Sequence, residues 1–195
     1  MAQRINNKTP LQIINLFTMP YVYFTDMLAS KDLTLMDIGS GEALSRGYLN
    51  HKWKYVTYFD KEYHDEAVAV GDITNIPKDD KSVDVTFCFE TIEHVNHLNQ
   101  NLALKELERV TKSLIVIGSI DKFGLDYVNG VEIFKAKNGT NPYHINELDV
   151  LSFPELIESR FDVVDYYHSN ANMTIVEGLQ SRPKGFCNYV IIGVS

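Results

Sequence analysis

Apolar positions follow two rhythms along this chain, one of three to four residues and one of short unbroken runs. Before residue 30, Leu11, Ile14, Leu16 and Phe17, then Tyr21, Phe24 and Leu28, recur at roughly helical spacing, with Pro10 near the start. Pro20 is expected to divide that helix, because an internal proline has no N–H to donate and crowds the preceding turn. Unbroken runs follow at residues 33–39, 55–60, 83–90 and 114–118, with a weaker one at 67–72 ahead of Ile76-Pro77. Such short apolar runs predict strands buried on both faces of a parallel sheet. Between the last two strong runs, Leu98, Leu102, Ala103, Leu107 and Val110 form the apolar face of an amphipathic helix.

Strands alternating with helices predict an α/β fold, doubly wound around an open, mostly parallel sheet. Past a Gly- and Asn-containing stretch at 123–141, a short helix at 148–159 is expected, then strands at 161–167 and 188–194 with no helical pattern between them. Those two should pair antiparallel and close one edge, for seven strands in all. No repeat or linker interrupts the pattern, so residues 1–195 are read as one domain with a helical cap over 1–30.

Composition adds exclusions. With 45% hydrophobic and 23% charged residues, the chain is ordinary globular material. A net charge of -8 and scattered Lys and Arg argue against nucleic acid, whose non-specific binding rests on neutralised phosphates. The start, Met1-Ala2-Gln3-Arg4, is polar, and no segment approaches the ~18 apolar residues of a membrane span. A cytoplasmic protein without membrane association is expected. Cys88 lies inside a strand-like run and reads as a buried, inert thiol; with Cys187 alone beside it, neither a disulfide framework nor a zinc site is indicated.

In open α/β sheets ligands bind beyond the carboxyl ends of the strands. Those ends carry Asp37-Ile38-Gly39-Ser40-Gly41, Asp60-Lys61, Asp72-Ile73 and Phe89-Glu90-Thr91. Gly39 and Gly41 permit a tight turn and close backbone approach, and a helix starting near Glu42 would point its N–H groups at the ligand. A carboxylate at Asp60 can accept both hydroxyl protons of a ribose, and one at Asp72 can accept from an exocyclic amine. Singly, each feature also fits a turn or surface acid with no ligand.

Taken together, residues 33–120 resemble the class I S-adenosylmethionine (SAM) dependent methyltransferase family. The likeness rests on Asp37 to Ala43, Asp60, Gly71-Asp72-Ile73-Thr74-Asn75-Ile76-Pro77, Lys81-Ser82-Val83-Asp84-Val85, Glu90-Thr91-Ile92-Glu93-His94-Val95 and Glu106-Leu107-Glu108-Arg109-Val110, the last three similar to its small-molecule and glycan branch. It implies a Rossmann-like fold with SAM as cofactor. By position it also implies Asp37, Gly39, Ser40 and Gly41 at the methionine portion, Asp60 at the ribose, Asp72 and Ile73 at the adenine, and Phe89, Glu90 and Thr91 beside the sulfonium, with Lys61 a further cofactor-binding residue. Ala43 replaces the third glycine, which a helical geometry would tolerate. Too few residues follow Asp60 for a full helix, so an open adenine side is expected. NAD is the rival cofactor, but Leu44 occupies its last glycine position.

Methyl transfer requires alignment of the acceptor and, for a hydroxyl, a base. The candidates are Glu93, His94, His97 and His144. Asn141-Pro142-Tyr143-His144 resembles an N-P-P-Y motif of amino-directed methyltransferases but lies after the wrong strand and lacks the second proline, so it reads as a loop. His144, by resemblance a residue over the acceptor, is the first choice of base; Glu93 and His94 follow, against alternatives in which they cap or pack. His94 and His97 could share a helical face, but with no third ligand no metal is expected. Loops at 121–147 and 170–187 and the aromatics Tyr21, Tyr23, Phe24, Phe123, Tyr127 and Tyr143 are placed near the acceptor, although such aromatics are commonly core. The expected activity is methyl transfer to a small molecule such as a sugar hydroxyl. The alternatives are a non-catalytic SAM-binding protein and an NAD-dependent enzyme.

Overall fold

The computed structural model describes residues 11–121, 145–146, 148–149, 151–170, 175–178 and 185–194. Helix α1 (Leu11–Leu28) is followed by strand β1 (Thr34–Ile38), helix α2 (Arg46–Lys52), and strands β2 (Tyr55–Asp60), β3 (Val68–Val70) and β4 (Val83–Phe89). A single 3-10 turn (Ile92–His94) leads into helix α3 (His97–Val110) and strand β5 (Thr111–Ile120). Helix α4 (Ser152–Glu158) and strands β6 (Val163–Asn170), β7 (Ile175–Glu177) and β8 (Gly185–Gly193) complete the chain.

The strands form one sheet in the order β3-β2-β1-β4-β5-β8-β6-β7. From β3 to β5 all neighbours are parallel, and β8 joins β5 and β6 antiparallel. The sheet thus has eight strands, one more than expected: β7 pairs with β6 inside the 170–187 segment, where the sequence pattern predicts only a loop. At three residues, Ile-Val-Glu is too short for a period to stand out in the sequence.

Alternating residues of the central strands feed two cores. On one side Leu35, Phe87, Phe89 and Val116 pack with Phe24, Leu49, Trp53, Tyr167 and Tyr189. On the other Met36, Ile38, Cys88, Ile115 and Ile117 pack with Leu104, Leu107, Phe153, Ile157 and Val190. The period-two alternation of a strand therefore becomes a three-layer arrangement, α1 and α2 against one face and α3 and α4 against the other. Cys88 and Cys187 are both free and buried.

Two local expectations are corrected. Pro20 lies within one continuous α1 rather than dividing it. Proline removes one backbone hydrogen bond, and burial of Pro20 and Phe24 offsets that loss. Helix α2 begins at Arg46, not near Glu42, because Gly39, Gly41 and Ala43 all have positive φ and delay the helix. Ala43, at φ 50°, is left-handed rather than helical, a conformation costing a non-glycine residue roughly 1–2 kcal/mol.

Candidate active site

The chain leaves β1 in one direction toward β2 and β3 and returns on the other side as β4, so the carboxyl ends of β1 and β4 flank the crevice where such sheets bind ligands. Gly39 lies at its centre. With φ 72° and a position where an added Cβ would stand 1.9 Å from Thr91 Oγ1, it admits no side chain. Thr91 is fixed there by donating to the Phe89 carbonyl at 2.8 Å. The Gly39 and Ser40 amides both donate to the Phe59 carbonyl, at 2.8 and 3.2 Å, tying the turn to β2. An added Cβ at Gly41 would meet nothing within 4 Å, so the outer side of the turn is open to a ligand. Ser40 is buried, and its hydroxyl has no hydrogen-bond partner among the described residues.

Asp60 ends β2 beneath this turn. Its Oδ2 accepts from the Gly41 amide at 2.8 Å and its Oδ1 from the Glu62 amide at 2.9 Å, with His64 Nε2 at 3.4 Å from Oδ1. Asp37 is 1% exposed and its Oδ1 accepts from the Tyr21 hydroxyl at 3.0 Å. Burial, opposed by that bond and reinforced by Asp60, raises its carboxyl to about 7. Asp72 closes an Asx turn, its Oδ1 accepting from the Thr74 amide and hydroxyl at 2.9 and 2.7 Å, which holds it below the usual carboxylate range. Exposed Lys61 approaches Asp72 Oδ2 at 3.8 Å rather than Asp60. Half-buried Ile73 packs against the α3 side of the core.

Beyond β4, Glu90 turns the chain with φ 49°, a strained position for a side-chain-bearing residue. Glu93 in the 3-10 turn is 0% exposed, and neither of its carboxylate oxygens has a hydrogen-bond partner among the described residues; Glu90 Oε1 has none either. The two carboxyls face one another, and burial together with the charge of Glu90 pushes Glu93 upward; burial also raises Glu90. Half-buried His94 opposes the shift at Glu93. Glu93 is not the helix cap: Asn96 fills that role, its side chain accepting from the Leu98 amide. His94 ends the 3-10 turn while His97 opens α3 after extended Val95, so they share no helical face. The Glu93 carbonyl accepts from the Ile145 and Asn146 amides at 3.1 and 3.0 Å, docking that segment on the β4 edge. His144, Phe123, Tyr127 and Tyr143 lie outside the described residues, as does most of the 121–147 loop.

Two contributors were not singled out from the sequence. Arg109 donates to the carbonyls of Ile76 and Lys78, to Asp80 and twice to Glu106, while Glu106 accepts from the Ile76 amide. This clamp fastens the segment after Asp72-Ile73 to α3. The Glu106 and Arg109 spacing belongs to the motif noted above, but its partners are some thirty residues away and carry no local signal. His64 beside Asp60 is the other.

Three carboxylates around a glycine turn, at the ends of β1, β2 and β3, suit a cationic amino acid, a ribose and an adenine amine. They would repel the pyrophosphate of NAD. The groups present fit SAM: Asp37 with the Gly39 to Gly41 backbone would hold the methionine part, Asp60 would meet the ribose, and the Asp72-Ile73 turn would meet the adenine. When bound, SAM supplies a methyl group already activated on a sulfonium.

Comparison with known proteins agrees. Residues 36–115 match the methyltransferase domain family. No curated protein matches the chain. Among solved structures, a SAM-dependent methyltransferase from Aquifex aeolicus is similar over 95% of this chain and 94% of its own, with a TM-score of 0.63 and 16% identity. One from Methanosarcina mazei covers 90% and 97% with a TM-score of 0.64 and 14% identity. A Thermotoga maritima structure named a "possible histamine N-methyltransferase" covers 95% and 100% with a TM-score of 0.60 and 18% identity. These structures share the fold, and the family match spans β1 to β5, the strands that form the cofactor edge. Residues 36–115 thus match the methyltransferase domain, on a fold that the whole chain shares with SAM-dependent methyltransferases.

Proposed function

We propose that this methyltransferase acts on a small molecule whose attacking atom carries a proton, such as a sugar hydroxyl, and that Glu93 receives that proton. The observation supporting this is the buried carboxyl of Glu93, without a hydrogen-bond partner among the described residues, facing Glu90 at the cofactor edge of β4. Burial raises the Glu93 carboxyl to about 8, so the form that accepts a proton is its carboxylate, which is populated as pH rises toward that value and is then a stronger base than an exposed carboxylate. His94, adjacent and half-buried, would tune its charge, and His144 is a further candidate on the acceptor side. The net charge of -8 favours a compact acceptor over a polyanion. The similar Thermotoga maritima protein, described as a possible histamine N-methyltransferase, would have a small acceptor too.

The work left to the protein is alignment and proton removal. The Gly39 turn and Asp37 hold the methyl donor against β1, the Thr91 and Phe89 edge limits its movement, and Glu93 waits for the acceptor's proton. A panel of small hydroxyl- and amine-bearing acceptors incubated with methyl-labelled SAM tests this. Glu93→Gln should lower turnover by roughly 10²–10⁴-fold while leaving SAM affinity unchanged. Equal turnover in wild type and Glu93→Gln would remove Glu93 as base. SAM binding with no acceptor ever labelled would favour the non-catalytic reading.

A further inference from the structure

Tyr21 is the residue through which α1 reaches the crevice. Its hydroxyl donates to Asp37 Oδ1 at 3.0 Å, and its ring meets Phe89 edge to face, centroids 4.9 Å apart and planes at 83°. Phe89 in turn accepts from Thr91, which touches Gly39. Tyr21 and Phe89 therefore form an aromatic corner beside the glycine turn, with a buried acid at its base. The rest of α1 is anchored independently: Phe24 is fully buried against Phe89 and Tyr189, and the Trp53 indole donates to Thr25. Tyr21 packs at the edge of that core, also against Phe87, but is only half-buried, so part of its ring is accessible beside the turn.

Aromatic faces attract cations, and a desolvated carboxylate binds an ammonium more strongly than a phenol. We propose that Tyr21 is a positioning residue for the methionine end of the cofactor, by which α1 selects the positively charged sulfonium over the neutral thioether left after transfer. This rests on the methyltransferase reading. The hydroxyl keeps Asp37 oriented until the cofactor's ammonium arrives, and the ring then faces the sulfonium. Once the methyl group has left, the charge and the attraction are gone, which favours release of S-adenosylhomocysteine.

Calorimetry of SAM and S-adenosylhomocysteine on wild type, Tyr21→Phe and Tyr21→Leu tests it. Tyr21→Leu should weaken SAM about tenfold but the neutral product no more than about threefold. Tyr21→Phe keeps the ring and should weaken both alike, leaving their ratio at the wild-type value. Equal weakening of both ligands by Tyr21→Leu, or none, overturns the proposal. If Tyr21→Leu does not fold, Tyr21→pentafluorophenylalanine keeps the shape and reverses the ring's quadrupole. The SAM preference should then fall relative to Tyr21→Phe, and an unchanged ratio overturns the idea. Wild-type protein binding neither ligand would instead defeat the methyltransferase reading itself.

Discussion

Each oxygen of Asp60 accepts one backbone N–H, from Gly41 and from Glu62, and so each retains a lone pair for a ribose hydroxyl. The same carboxylate thus shapes the glycine turn and would have room to meet the ligand. Asp60→Ala should weaken SAM binding by about 1–3 kcal/mol, the usual loss when a charged acceptor leaves a hydrogen-bonded site. An unchanged dissociation constant in calorimetry would take Asp60 out of the site. Gly39 is constrained differently: its positive φ and its contact with Thr91 both demand the absence of a side chain.

Among elements, α3 does more than cover the sheet. Through Arg109 and Glu106 it holds residues 76–80, and with them the approach to the Asp72 turn. Arg109→Ala would strand the Ile76 and Lys78 carbonyls and release Glu106 from its partner. The expected cost is about 2 kcal/mol, seen as a melting temperature lower by roughly 4–8 °C. SAM affinity should fall with it, while a melt unaltered by the substitution would show that the clamp is solvated in solution. Arg109→Lys should not restore it, because an ammonium cannot span five acceptor contacts in a plane.

For the molecule as a whole, Asp37, Glu90 and Glu93 are buried acids whose proton affinity is raised on folding. A raised acid holds a proton in the folded state that the unfolded chain has already lost. Stability contributed by such a group is therefore present at low pH and falls as pH rises. For Asp37 the window runs from its ordinary value near 3.8 to about 7, with a slope of about 1.4 kcal/mol per pH unit for each proton held. Denaturation of the ligand-free protein should accordingly show stability declining between about pH 5 and 7, and Glu93→Gln should flatten that decline. A slope that Glu93→Gln leaves unchanged would show that Glu93 is ionised in the fold. The described residues contain no helix long and apolar enough to cross a membrane.

Sequence alone determined the alternation of strands and helices, the parallel half of the sheet and the carboxylates at its strand ends. Those features are written in periodicity and in contiguous motifs, as in Asp37 to Ala43. Tertiary structure decided what distant segments do to one another. Only packing shows that α1 passes Pro20 unbroken, because the stabilising burial comes from the sheet beneath it. Only packing brings Tyr21 onto Asp37 and Arg109 onto the Ile76 and Lys78 carbonyls, contacts made across sixteen and about thirty positions. The positive φ of Ala43 was hidden for the same reason, since alanine signals a helix locally and the turn over β2 overrides it.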